Sequence, residues 1–189
     1  MSRVVIVTGS SGGIGTAICK EFTQQNWRVI GVDINEPPED LFRFEHVDLS
    51  KPDAVSNLFQ NLKDLDRIDA LVNNAAICIN KPLLETNDND WQQTFDINVR
   101  SVFQMIRYSH PFLKMTSGSI VNVGSVHAVA TSENVAAYAA SKGAITALTR
   151  AVALEYASDN IRCNAVLPGA INTEMLRTGL SRREHPKGA

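Results

Sequence analysis

Tyr138 and Lys142 lie four residues apart in a stretch, from about Ala136 to Ala157, that reads as helix, so their side chains share one face, a turn apart. At about 4 Å and an effective dielectric of about 20, an ammonium favours a neighbouring phenolate by roughly 4 kcal/mol, enough to bring a tyrosine from about 10 to about 7. A phenol in that range is a usable general base. Burial works against the effect. The spacing alone arises by chance in about one chain in nine of this composition, so the pair points to proton transfer only in company with other features.

A second feature is the run Thr8-Gly-Ser-Ser-Gly-Gly-Ile-Gly15, which follows the apolar stretch Val4 to Val7 and opens a helical segment. Gly9, Ser11, Gly13, Ile14 and Gly15 stand where unpaired backbone N–H groups and the helix dipole would favour a pyrophosphate. A glycine turn from strand to helix is also an ordinary structural device. The Gly-Lys-Ser/Thr ending of a triphosphate-binding loop is missing, which disfavours a kinase or ATPase. Asp33 ends the second apolar run, close to where a carboxylate can accept hydrogen bonds from an adenosine ribose and repel a 2′-phosphate. Gly12 and Ile34 occupy positions where a basic residue could have met that phosphate. NAD is therefore expected over NADP, against the plainer reading of Asp33 as a solvated strand-end carboxylate.

These groups need a frame. Short β-branched runs at 4–7, 29–32, 44–49, 70–73, 120–123 and 161–167 alternate with helical stretches at 14–25, from Ser50 (a candidate N-cap, with Asp53 three positions on) to Leu62, at about 90–115 and at about 136–157. Continuous rather than alternating apolar runs imply strands covered on both faces. The expected fold is α/β: a Rossmann-type, doubly wound parallel sheet with six readable strands and its ligand beyond their carboxyl ends. The 189 residues, 44% of them hydrophobic, suit a single dinucleotide-binding domain over 1–189. A net charge of −2 offers no basic field for nucleic acid or an anionic membrane, and no apolar run is long enough to span a bilayer. Cys19, Cys78 and Cys163 are odd in number and far apart, which suggests neither a disulfide framework nor a metal site and fits a reducing cytoplasm.

The sequence resembles the short-chain dehydrogenase/reductase family through the glycine loop, Asn73-Asn-Ala-Ala76, Asn98, Ser125, the Tyr138 to Lys142 motif and Pro168-Gly169, in the family's order and across nearly the whole chain. The resemblance implies hydride transfer between NAD and a small secondary alcohol or ketone. Ser125 would hydrogen-bond the substrate oxygen and Tyr138 would exchange its proton. Lys142 would hold the nicotinamide ribose while acidifying Tyr138, and Asn98 would position a water linking Lys142 to solvent. Asp48 would contact the adenine, Asn74 would line the cofactor channel, and Thr173 would hold the nicotinamide amide beside Pro168 and Gly169. It also implies a homodimer or homotetramer through the helices at 101–115 and 136–157.

Plainer roles remain open for several of these: Asp48 as a turn residue, Asn74 as a loop brace, Thr173 as a helix N-cap and Ser125 as an ordinary loop hydroxyl. His127, two residues past Ser125, reads more simply as a surface or hydrogen-bonded structural histidine than as a substrate ligand. Trp91, Phe95, Phe103 and Met105 read as packing. Two departures from the family stand out. Ala76 replaces the usual glycine. The chain also ends at Ala189, where relatives continue with a substrate-covering segment, another helix and a final strand. The tail 174–189, with Arg177, Arg182 and Arg183, looks like the start of that cover, leaving the pocket wall incomplete and the strand at 161–167 an exposed edge. A noncatalytic NAD-binding or sensing module is the competing reading; an epimerase or dehydratase is disfavoured by the glycine spacing.

Overall fold

The computed structural model describes residues 2–173 together with 176 and 177. Six parallel strands form one sheet in the order β3-β2-β1-β4-β5-β6: β1 (Val4–Thr8), β2 (Arg28–Asp33), β3 (Arg43–His46), β4 (Ala70–Asn73), β5 (Ser119–Val123) and β6 (Arg162–Val166). All the residues of β1 and β4 are buried, as befits central strands with apolar side chains on both faces. Val4 and Ile6 point into the larger core, with α2 (Ala54–Asn61), α4 (Ser101–Thr116) and α5 (Ala136–Glu155). Val5 and Val7 point the other way, toward α1 (Gly13–Gln24), where Cys19, Ile18 and Phe22 meet them. Helices thus lie on both faces, and the direction in which successive strands are added reverses between β1 and β4, leaving a crevice at the carboxyl ends of the strands.

All six expected strands form. The third is shorter than expected, ending at His46, and Ser50 does not cap α2. Its N–H and hydroxyl turn back to the Asp48 carboxylate, with N to Oδ1 at 3.0 Å, a charged acceptor two residues away. The helix begins only after Asp53. The long helix begins earlier than expected: α3 (Asp88–Phe95) is started by Asn87, whose side chain accepts the Asp90 N–H at 2.9 Å while Asp90 accepts the Asn87 N–H at 3.2 Å. Between α3 and α4 the helix widens into a π turn, Asp96–Arg100. Of the four side chains read as packing, Met105 is fully buried, whereas Trp91 stacks on Phe95 at the surface and Phe103 is exposed.

Among the described residues β6 is an edge strand, with no further strand beside it. The expected substrate cover at 174–189, with Arg182 and Arg183, lies outside the described residues apart from Leu176 and Arg177. No helix among the described residues is long and apolar enough to cross a membrane.

Candidate active site

The glycine loop turns from β1 into α1 through Gly9, whose φ of +66° favours glycine. A side chain at Gly15 would collide with the Gly9 carbonyl, so helix and loop are packed backbone to backbone. Gly12 precedes α1 with no side chain to cap it, and the first turn holds no acidic residue. The leading N–H groups of the helix are thus left to an external acceptor, and this uncapped, glycine-floored terminus fits a pyrophosphate. Asp33, at the end of β2, closes the loop from the other side: its Oδ2 accepts the Ser11 N–H and its Oδ1 the Asn35 N–H, each at 3.0 Å. Ser11 itself donates its hydroxyl to the Asn35 carbonyl at 2.6 Å. The carboxylate is therefore held against the edge of the glycine loop.

Asn74 braces the same loop, its amide donating to the carbonyls of Thr8 at 3.1 Å and Gly9 at 3.0 Å. The Thr8 hydroxyl accepts the N–H groups of both Asn74 and Ala75, tying the end of β1 to the segment after β4. Asp48 sits in its own turn, its carboxyl held below the usual range by the Ser50 hydroxyl, against the opposing effect of burial. Thr173 lies against Gly13, and its hydroxyl accepts the Leu176 N–H at 3.5 Å, the geometry of a helix N-cap. The Pro168 carbonyl accepts the Val126 N–H at 3.1 Å, joining the loops after β5 and β6, and Gly169 follows in open space.

Asn98 owes its position to the π turn, which carries its side chain inward to 1% exposure. Its Oδ1 accepts the Ile77 N–H at 2.8 Å, and its amide donates to the Ile77 carbonyl at 2.9 Å and to the Ser141 hydroxyl at 3.0 Å. Ser141 in turn donates to the Tyr138 carbonyl at 2.7 Å. Asn98 thus hangs the loop after β4 from the helix that carries Tyr138. Both of its amide hydrogens are committed to the protein. Ile77, Ser141 and Thr8 escaped notice in the sequence, because each acts through groups that any loop or helix residue of its type carries.

The reacting groups meet where β5 ends. Ser125 begins a 3-10 turn, Val126–Ala128, by accepting the His127 N–H at 3.2 Å, and its hydroxyl lies beside Tyr138, whose pKa it lowers. One turn along α5, Lys142 is 3% exposed and donates its ammonium to the Val123 carbonyl at 2.7 Å. Its Nζ is 5.6 Å from the Tyr138 ring centroid. Against the expected acidification of the phenol by this lysine, the surroundings of Tyr138 raise its pKa. Burial pushes Tyr138 up, outweighing the Ser125 hydrogen bond that lowers it, and the nearby Cys78 thiol pushes the same way as burial. Burial also brings Lys142 down from 10.5 to about 8, with Cys78 opposing. The sequence estimate placed the two charges in a more polar medium than the site provides, and named the opposing effect of burial without giving it a magnitude.

Four expected groups, Asn98, Ser125, Tyr138 and Lys142, are thus connected by hydrogen bonds or direct contact, and the glycine loop faces them across the strand ends. Among the described residues no group of three or more His, Cys, Asp or Glu could hold a metal ion. A cyclopentanol dehydrogenase of Comamonas testosteroni is 38% identical over 186 residues, spanning 92% of this chain and 74% of that protein. Among solved structures, the Thermoplasma acidophilum aldohexose dehydrogenase matches with a TM-score of 0.90 at 34% identity, over 98% of this chain and 74% of that one. A 4-hydroxyisoleucine dehydrogenase complexed with NADH matches with a TM-score of 0.88 at 31% identity, over 97% of this chain and 79% of that one. Since the model of the family described as short chain dehydrogenase also matches residues 3–184, this chain belongs to the short-chain dehydrogenase/reductase family of oxidoreductases.

Proposed function

We propose that the protein catalyses reversible hydride transfer between NAD and a small secondary alcohol or ketone. The observation that carries this reading is the meeting of Ser125 and Tyr138 where β5 ends, with the buried Lys142 ammonium one helical turn behind. In the oxidative direction the Tyr138 oxygen takes the proton of the substrate hydroxyl, and Ser125 holds the same oxygen in place as its bond to carbon becomes double. NAD, when bound, would supply the two-electron acceptor for the carbinol hydride. Lys142 would hold the nicotinamide ribose and, together with the cofactor's charge, would offset the burial that raises the Tyr138 pKa. Asn98 holds the Ile77 carbonyl, against which a water leading to Lys142 would rest.

Asp33 supports NAD over NADP, because its carboxylate is fixed where a 2′-phosphate would have to sit. Gly9, Ser11, Gly13, Ile14 and Gly15 would carry the pyrophosphate. Asp48 and Asn74 would flank the adenosine half, and Pro168, Gly169 and Thr173 the nicotinamide half. The relatives are named for a cyclic alcohol, a sugar and a hydroxylated amino acid, which supports a small-molecule substrate. The exposed Phe103 on α4 and Leu154 on α5 support a homo-oligomer through those helices. None of the three cysteines forms a disulfide, which supports a reducing, cytoplasmic setting.

The test is NADH formation across a panel of secondary alcohols, comparing the parent with Tyr138→Phe and Lys142→Ala. Losses of about 100-fold or more are expected in both, as for removal of a general base and its partner. Unchanged turnover in both variants rejects the assignment.

A further inference from the structure

His127 is drawn into the site in a way its sequence context does not announce. The turn that Ser125 starts brings the imidazole against Tyr138, with ring centroids 5.8 Å apart and the planes 75° to one another. The Thr131 hydroxyl meets Nδ1 at 3.1 Å, which fixes the rotation of the ring and leaves Nε2 as the nitrogen available to a ligand. The ring is half-buried, pinned between a phenol and a hydroxyl, beside the two groups that hold the reacting oxygen. A second hydrogen-bonding nitrogen is thus carried on a ring packed against the phenol, so a substrate with another oxygen on the neighbouring carbon can engage both rings.

We propose that His127 is a specificity-determining residue whose Nε2 hydrogen-bonds a second oxygen of the substrate, on the carbon next to the one oxidised. The substrate class so selected is the vicinal diols and 2-hydroxy acids, in preference to plain secondary alcohols. This inference rests on the hydride-transfer reading above. A half-buried ring nitrogen that gives up its water to a bound substrate is left without a partner when the second oxygen is missing, and that loss is what discriminates.

The experiment uses a four-carbon series, 2-butanol, 2,3-butanediol and 2-hydroxybutanoate, with the full chain and its His127→Phe and His127→Gln variants. Phenylalanine keeps an aromatic ring against Tyr138 and removes the nitrogen; glutamine restores a hydrogen-bonding group without the ring. Binding of each compound to the NADH-loaded protein is measured by calorimetry, alongside kcat and KM. The parent is expected to favour at least one of the two-oxygen compounds over 2-butanol by about tenfold or more. His127→Phe should erase that preference while leaving 2-butanol within about twofold, and His127→Gln should recover part of it. Whether the diol or the hydroxy acid shows the larger effect identifies the second oxygen.

Equal losses on all three compounds in His127→Phe, or a parent that binds and turns them over alike, overturns the proposal. Tyr138→Phe, run in parallel, separates the two failures: if turnover survives that change the hydride-transfer assignment falls, whereas the calorimetric preference still reports on His127.

Discussion

Removing the charge at Lys142 should stabilise the cofactor-free protein while destroying its activity. In the fold the ammonium is buried and its pKa falls from 10.5 to about 8, which at about 1.4 kcal/mol per tenfold change in proton affinity is a penalty of roughly 3 kcal/mol. Lys142→Met fills nearly the same volume without the charge. It forfeits the bond to the Val123 carbonyl, about 1–2 kcal/mol. The net expectation below pH 8 is a gain of about 1–2 kcal/mol, read by urea unfolding of the parent and the variant, or as a rise in Tm of about 2–4 °C per kcal/mol for a domain of this size.

The sign with pH follows from the direction of the shift. Between pH 8 and 10.5 the unfolded parent still holds the proton that the folded parent has released, so its stability climbs with pH relative to the methionine variant. The variant's advantage shrinks through that window and reverses near its middle, as the neutral amine comes to keep its hydrogen bond at no charge penalty. Taking the difference between the two proteins cancels other groups that titrate there, notably the buried thiols Cys19 and Cys163. A variant less stable than the parent at pH 7, or a difference that stays flat from pH 7 to 10.5, refutes the reasoning.

Gly15→Ala should cost about 1–3 kcal/mol in unfolding free energy and abolish measurable NADH binding by fluorescence, because the added methyl collides with the Gly9 carbonyl and must displace the loop. Asp33→Ser should raise the NADP-to-NAD ratio of kcat/KM by at least tenfold, since it removes the charge aimed at the 2′ position; an unchanged ratio would place the ribose elsewhere. Asn98→Ala should cost about 2–4 kcal/mol by urea unfolding, because it strips partners from both peptide groups of Ile77 and from Ser141 in a buried setting.

Residues whose surroundings are dictated locally were the legible ones. β1, β2 and β4 could be placed from their apolar runs, since a parallel strand buried on both faces needs little else. The glycine loop was legible for a related reason: its backbone conformation is demanding enough to restrict residue type. The start of α3 could have been read from the Asn87-x-x-Asp90 spacing, a capping pattern with a shorter acid than usual. Other properties depend on tertiary placement. Nothing in Asp96-Ile-Asn-Val-Arg100 announces a π turn, yet that turn is what buries Asn98. The ionisation of Tyr138 depends on how deeply α5 is packed, and the contact of His127 with Tyr138 on a turn capped by Ser125. Spacing along the chain is blind to both.

The wide turn at Asp96–Arg100 makes the length of this helix part of the site. Excising one residue there would let the winding tighten back to the regular pitch and leave α3 and α4 in nearly the same relative orientation, because an α-helix turns about as far in one residue fewer. What would be lost is the widened backbone that carries Asn98 inward to Ile77 and Ser141. Neighbouring loops can absorb insertions and deletions by bulging into solvent, so variation in length among descendants of this sequence should gather in segments such as 34–42 and spare this helix.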